Sequence, residues 1–277
     1  MYRSILVHLD DMPAGERRLD VAVATAQRFG ASLTAIYFAP PAPVEVDRAE
    51  LPPPEISLRL SQGETRERVE SMLRKRVSEA GVASLDFRFL PAERIDAAIA
   101  EMRCVDLSIL GQYDPDRDRG GFGRRLAEQA VMANGGPVLF LPYAPSTVAV
   151  GETVLVSWDG GREAARAARD ALPLLRTAKR IVILSLLGYR FRTGEDAQRS
   201  QARLAAYLGA HGIEAEGRDM PCTIDRHGEL LLSQVADLGA DLVVMGAYGH
   251  ARVRELILGG VTRIMLDSMT VPVLMSH

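Results

Sequence analysis

Ala240-Asp-Leu-Val-Val-Met-Gly246-Ala-Tyr248 is a short run of apolar residues that ends in glycine, and the chain carries a similar run earlier. The earlier copy is Val105-Asp-Leu-Ser-Ile-Leu-Gly111-Gln-Tyr113. Continuous rather than alternating apolarity is typical of strands buried on both faces, as in parallel sheets. Segments that recur in a fixed order indicate a duplicated structural unit. The two copies therefore predict two similar α/β units in one chain.

Two further pairs of segments repeat in the same order. Ile5-Leu-Val-His-Leu-Asp10 resembles Val154-Leu-Val-Ser-Trp-Asp159, and Gly136-Pro-Val-Leu-Phe-Leu141 resembles Val271-Pro-Val-Leu-Met-Ser276. The first half has more residues between its repeated segments than the second half has, and the additional residues fall in the proline-rich stretch 39–55. Because proline fits neither a helix interior nor a central strand, we predict an inserted extended loop there. Residues 1–145 and 151–277 are predicted as two domains, with the boundary near Pro142–Gly151.

Each half is predicted to alternate strands with helices. The predicted strands are Ile5–Leu9, Leu33–Phe38, Leu85–Leu90, Leu107–Leu110, Val138–Leu141, Val154–Val156, Ile181–Leu187, Glu214–Met220, Leu242–Met245 and Val271–Met275. The predicted helices are Glu16–Phe29, Leu58–Ala80, Arg94–Met102, Arg124–Ala133, Arg162–Leu175, Gln198–His211, Glu229–Leu238 and Gly260–Ser268. This alternation predicts right-handed crossovers and a doubly wound parallel sheet of five strands in each half. Ligands of such sheets bind beyond the carboxyl ends of the strands.

Composition and charge restrict the functional classes. Among 277 residues, 47% are hydrophobic and the net charge is only −3, as expected for a soluble protein with substantial cores. The small charge and the 5% aromatic content argue against nucleic acid or a membrane surface as a partner. Cys104 and Cys222 form no CxxC motif, and the N-terminal sequence lacks signal-peptide features. A cytoplasmic location is therefore expected.

The segment from 246 to 262 is the main candidate for a ligand site. Its glycines are Gly246, Gly249, Gly259 and Gly260. The last two open a predicted helix, whose free N–H groups and positive end suit an anion such as phosphate. Further donors in the segment are the side chains of Thr262, His250 and Arg252. Spacing alone leaves open whether these glycines bind a ligand or serve turns and packing, and the loop lacks the lysine of a Walker motif.

The spacing Gly-x2-Gly-x9-Gly after a buried strand, with Pro272-Val-Leu closing the half, resembles the ATP-binding signature of the universal stress protein family. The resemblance extends over both halves. It implies a Rossmann-like fold of the adenine nucleotide alpha hydrolase type, with strand order 3-2-1-4-5. It also implies a role in stress response, with ATP or a related adenine nucleotide, with or without Mg²⁺, as a regulatory ligand. The family's hydroxyl residue after the third glycine is Gly260 here, which removes one phosphate donor.

The resemblance also implies a site for the base. An aspartate at the end of the first strand lies beside adenine in the family, and Asp159 matches that position, with Leu186 as the nearest match on the second strand. Asp159 has a second interpretation as N-cap of the helix that begins at Arg162. The candidate nucleotide-binding residues are Ser157, Trp158, Asp159, Gly160, Leu186, Met245, Gly246, Tyr248, Gly249, His250, Arg252, Gly259, Gly260, Val261 and Thr262.

The corresponding loop of the first half is acidic. Asp114 replaces the second glycine of the signature, and Asp116 and Asp118 follow. Three carboxylates oppose an anionic ligand, so no ATP is expected there although Asp10 keeps the base position. The alternation of aspartates departs from a calcium loop, because Arg125 stands where that loop requires glutamate. A solvated surface loop is the preferred interpretation, and no metal site is predicted.

Three functional classes stay open. The chain is a nucleotide-responsive stress protein, an interaction protein without a nucleotide, or a slow ATPase. No positioned general base or metal-binding carboxylates are evident, so the sequence gives weak ATP hydrolysis little support. The family resemblance further implies that the halves pair through their last strands, Pro137–Leu141 against Pro272–Met275, as an intrachain pseudo-dimer. A homodimer of such chains is compatible with it, and protein partners are unidentified.

Overall fold

The computed structural model describes residues 1–10, 13–39, 54–91, 94–114, 116, 118, 121–144, 150–188, 190–223, 226–249 and 260–277. Most of the proline-rich stretch therefore lies outside the described residues. The same holds for three predicted binding residues, His250, Arg252 and Gly259.

The first half alternates strands and helices as predicted. Its elements are β1 Ser4–Leu9, α1 Pro13–Phe29, β2 Ser32–Ala39, α2 Pro54–Glu79, β3 Leu85–Pro91, α3 Ile95–Met102, β4 Leu107–Gly111, α4 Phe122–Ala133 and β5 Val138–Leu141. Successive residues of β1 enter different cores: Ile5 and Val7 pack on one face of the sheet, and Leu6 packs on the other. Burial on both faces explains why the strands are continuously apolar.

The second half repeats the pattern with one interruption. Its elements are β6 Thr153–Ser157, α5 Arg162–Asp170, α6 Leu172–Leu175, β7 Arg180–Leu186, α7 Gly194–Ala210, β8 Glu216–Met220, α8 His227–Leu238, β9 Leu242–Gly246, α9 Gly260–Ser268 and β10 Val273–Ser276. The prediction of one helix over Arg162–Leu175 is wrong, because the helix breaks at Ala171. Pro173 has no N–H for the carbonyl one turn earlier, which is the physical reason for a break here.

The strands form one sheet of ten, in the order β3-β2-β1-β4-β5-β10-β9-β6-β7-β8. Each half therefore has the expected order 3-2-1-4-5, and pairing within each half is parallel. The halves join where β5 pairs antiparallel with β10, with Phe140 opposite Val273 and Val138 opposite Met275. The pairing of the halves through their last strands is thus confirmed, and it merges two predicted sheets into one.

Polar contacts reinforce the join on both sides of the sheet. The Tyr2 hydroxyl donates to the Asp170 carbonyl at 2.7 Å, and the buried Gln112 amide donates to the Leu266 carbonyl at 3.0 Å. The Tyr113 hydroxyl donates to the Asp267 carboxylate. In the part of the chain that the structure describes, no helix combines the length and apolarity needed to cross a membrane.

Candidate functional site

The carboxyl ends of three neighbouring strands of the second half lie side by side. β6 stands between β7 and β9, with Ser157 in register with Leu184 and Met245. The turn after β6 and the residues that follow β9 therefore face the same edge of the sheet. Four predicted residues pack on the core of one sheet face, namely Leu186, Met245, Tyr248 and Val261. They give this edge an apolar floor.

The turn after β6 is held by its own side chains. Gly160 has φ of +74°, a conformation that favours glycine, and Asp159 Oδ1 accepts a hydrogen bond from the Gly161 N–H at 2.8 Å. The N-cap of α5 is Gly161, so the interpretation of Asp159 as N-cap is wrong. Trp158 uses its polar groups within the fold: its indole N–H donates to Ser200 Oγ and its carbonyl accepts from Ser185 Oγ, each at 2.9 Å.

Gly246 ends β9 and Gly249 follows it, and these two glycines have different surroundings. A Cβ on Gly246 would lie 2.5 Å from the Ala164 nitrogen, so this glycine lets α5 pack directly on the strand. A Cβ on Gly249 would lie 3.2 Å from Glu163 Oε2 and 4.0 Å from Asp159 Oδ2. The packing role is therefore clear for Gly246, whereas Gly249 brings the loop beside two carboxylates.

The start of α9 is tied to the end of β9. Thr262 is buried, and its Oγ1 accepts a hydrogen bond from the Tyr248 N–H at 3.2 Å. Among the described residues, Tyr248 is the one non-glycine residue with a positive φ, which is +56°. Burial, together with the nearby Glu128 carboxylate of the first half, raises the pKa of the Tyr248 hydroxyl. Gly260, the first residue of α9, is exposed with open space where a Cβ would point.

Two charged residues at this edge were not among the predicted site residues. Glu163 is buried at 4% exposure and lies next to Gly246 and Gly249. Burial alone would raise the pKa of Glu163, but hydrogen bonding and the charge of Arg162 outweigh it, so the pKa is lowered and the carboxylate is ionised. Arg190 Nε lies 3.1 Å from Asp159 Oδ2, and its Nη2 donates to the Gly249 carbonyl at 3.1 Å. Arg190 thus connects the ends of β6, β7 and β9.

The same edge of the first half is filled by an arginine from α1. Arg18 is buried, its Nη2 lies 2.7 Å from Asp10 Oδ2, and its Nε donates to the His8 carbonyl. A Cβ on Gly111 would overlap the Arg18 guanidinium. Asp10 and Gly111 correspond to Asp159 and Gly246, so Arg18 occupies the space between the matching positions of the first half.

The acidic loop of the first half folds upon itself. Asp118 accepts hydrogen bonds from the Gly123 and Arg124 N–H groups at 3.0 Å each, at the start of α4. Asp114 Oδ1 accepts from the Asp116 N–H at 3.0 Å. Within the described ranges, no group of three or more metal-ligating side chains comes together in either half. These carboxylates therefore have roles in turns and helix capping.

Comparison with known proteins identifies relatives of both halves. The model of the family described as "Universal stress protein family" matches residues 1–126 and 152–277. A universal stress protein from Archaeoglobus fulgidus DSM 4304 superimposes with a TM-score of 0.73 at 15% identity, covering 99% of this chain and 97% of that chain. A functionally unknown protein from Pseudomonas aeruginosa PAO1 gives a TM-score of 0.64 at 16% identity, covering 99% and 92%. No curated protein matches the chain.

Proposed function

The chain belongs to the universal stress protein family, and on that premise we propose that its second half binds an adenine nucleotide as a regulatory ligand. The first half binds none. The ligand is ATP or a related nucleotide, with or without Mg²⁺. Asp159 and Leu186 face the base and ribose, and the phosphates lie toward the N-terminus of α9.

The contrast between the two halves carries this proposal. In the first half the partner of the aspartate after the first strand is Arg18, whose side chain is only 3% exposed and fills the space beside Gly111. In the second half Asp159 is 41% exposed, and its partner Arg190 lies at the rim with 36% exposure. The two aspartates are similarly exposed, and the halves differ in the arginine: it is built into the first half beneath Gly111, whereas in the second half it stays at the surface.

The surroundings of Asp159 suit a nucleotide in two ways. Leu186 and Val261 are only partly buried on the core around Met245, and they offer apolar surface for a base. The first turn of α9 begins at the exposed Gly260, and helix N-termini present free N–H groups to phosphates. Loss of the family's hydroxyl at Gly260 leaves these backbone donors in place.

Calorimetric titration of the purified chain with ATP, ADP and AMP tests the proposal. We expect a dissociation constant below about 1 mM for at least one of them, at one nucleotide per chain. Asp159→Ala should weaken that binding about tenfold or more, whereas Glu195→Ala, which removes an exposed carboxylate in the first turn of α7, should not. Absence of binding by all three nucleotides would refute the proposal, and two nucleotides per chain would refute the assignment of the first half.

One observation favours a pure interaction protein instead. Arg190 already pairs with Asp159, so this edge is satisfied without any ligand. The titration separates the two functions directly. Release of inorganic phosphate from bound ATP, measured in the same samples, tests the remaining alternative of a slow ATPase.

A further inference from the structure

Arg190 holds both groups that define the mouth of the proposed site. Its Nε lies 3.1 Å from Asp159 Oδ2, and its Nη2 donates to the Gly249 carbonyl at 3.1 Å. One guanidinium therefore joins the turn after β6 to the loop after β9. A ligand group that binds Asp159 therefore lies next to this arginine.

The backbone that carries Arg190 is fixed by its neighbours. Gly188 has φ of +104°, and a Cβ there would overlap the Cys222 carbonyl, so only glycine fits. The Gly188 N–H donates to the Phe191 carbonyl at 2.9 Å. Phe191 is buried, and its ring would lie 3.2 Å from a Cβ on Gly160. The position of Arg190 over Asp159 is thus built into the fold, while its side chain stays at the surface.

Both oxygens of Asp159 are already used. Oδ1 accepts from the Gly161 N–H, and Oδ2 pairs with Arg190. Each oxygen can accept a further hydrogen bond, but a ligand donor to Oδ2 competes there with the Arg190 guanidinium, so its bond is stronger when Arg190 moves away. Because both partners are more than one-third exposed, the pair contributes little in water and is readily displaced. Arg18 in the first half is only 3% exposed and has no such freedom.

A displaced Arg190 has a strong preference for an oxyanion. Its guanidinium carries several donors in a planar fork that matches a phosphate group. The described carboxylates beside Gly249 are those of Asp159 and Glu163, and Glu163 is paired with Arg162. A phosphate entering along the loop after β9 would supply the new partner that a neutral ligand cannot.

We infer that Arg190 strengthens the binding of a ligand that carries a phosphate, so that this edge selects phosphorylated nucleosides over bare nucleosides. Arg190 is a specificity-determining residue: it pairs with Asp159 in the empty site and binds the ligand phosphate in the occupied one. This inference rests on the proposed function, because it concerns the same site.

Calorimetry with AMP and adenosine tests the inference, since the two probes differ by one phosphate. In the wild-type chain, AMP should bind more tightly than adenosine. Arg190→Ala should weaken AMP binding about tenfold, whereas adenosine binding should be unchanged or strengthened up to about fivefold, because no pair has to be displaced. Arg192→Ala removes another exposed arginine of the same loop and should leave both affinities unchanged.

The outcomes separate the two proposals. If the wild-type chain binds neither probe, the proposed function and the inference both fail. If Arg190→Ala weakens AMP and adenosine equally, or changes neither, the inference alone is wrong. Arg190→Lys keeps the charge without the fork, so it should retain part of the preference for AMP. Circular dichroism of each variant verifies that the surface substitution has left the fold intact.

Discussion

Replacing Arg18 with methionine should lower the free energy of unfolding by about 2–4 kcal/mol at pH 7.5. Methionine retains most of the aliphatic stem but removes the guanidinium that binds Asp10 and the His8 carbonyl. Removing one partner of a fully buried ion pair costs about 3–5 kcal/mol. The Asp10 carboxylate is 35% exposed, so water recovers part of that loss and the expected range is lower.

The same substitution should change how stability depends on pH. Burial and, to a smaller extent, the Arg18 charge lower the pKa of His8 to about 3, and Asp10 opposes the shift. With an unfolded pKa near 6.5, His8 leaves stability unaffected above that pH, and stability falls as pH drops from about 6.5 toward about 3. At pH 5.0 the wild-type chain loses about 2 kcal/mol through this group. Without Arg18 the folded pKa of His8 is higher, so the variant loses less, but only at pH values that approach this folded pKa.

Urea unfolding followed by circular dichroism at pH 7.5 and pH 5.0 measures both effects. The difference between the wild-type chain and Arg18→Met should be nearly the same at pH 7.5 and pH 5.0, because pH 5.0 lies well above the folded pKa of His8. Combining Arg18→Met with Asp10→Asn should restore part of the stability, because a neutral amide then replaces the carboxylate that lost the Arg18 charge. A penalty below about 0.5 kcal/mol at pH 7.5, or one that grows on acidification, would refute the reasoning.

Two further predictions concern packing. Gly246→Ala should lower the free energy of unfolding by at least about 2 kcal/mol, since the new Cβ would lie 2.5 Å from the Ala164 nitrogen. In Gly260→Ala the new Cβ meets open space, so the free energy of unfolding should stay within about 0.5 kcal/mol of the wild-type value. Gln112→Leu should lower the free energy of unfolding by about 1–3 kcal/mol, because the Leu266 carbonyl and the Tyr143 N–H both lose their partner. Thermal unfolding measures all three variants. An unchanged midpoint for Gly246→Ala or Gln112→Leu would contradict the corresponding prediction.

The fold was predictable because its evidence is local. Val138–Leu141 and Leu242–Met245 are short apolar runs between turn residues, and burial on both faces leaves such runs few alternatives to a strand in a parallel sheet. The break at Ala171 does not follow from composition, because Ala164, Ala167 and Ala168 favour a continuous helix, and the signal against such a helix is Pro173.

The charged residues of the site were harder to predict, because their contacts are tertiary. Arg18 had one signal in the sequence: it stands four and eight residues before Ala22 and Ala26, on the buried face of α1. An arginine in that register indicates a buried partner. Glu163 and Arg190 carry no comparable signal. Periodicity does not show how closely α5, which carries Glu163, packs on Gly246, and it does not show the path of the chain after Leu186, which carries Arg190.

The join of β5 and β10 within one polypeptide has a genetic consequence. In a dimer of identical chains, an arginine that closed one pocket would close both, because a single coding segment specifies both copies. Here each half has its own coding segment, so Arg18 can fill the first pocket without any effect on the second. The pair also cannot separate on dilution, so each chain always combines one half filled by Arg18 with one half that is not. On the proposed function, each chain then has one nucleotide site, ligand occupancy would rise along a simple hyperbola, and the response would be graded rather than switch-like.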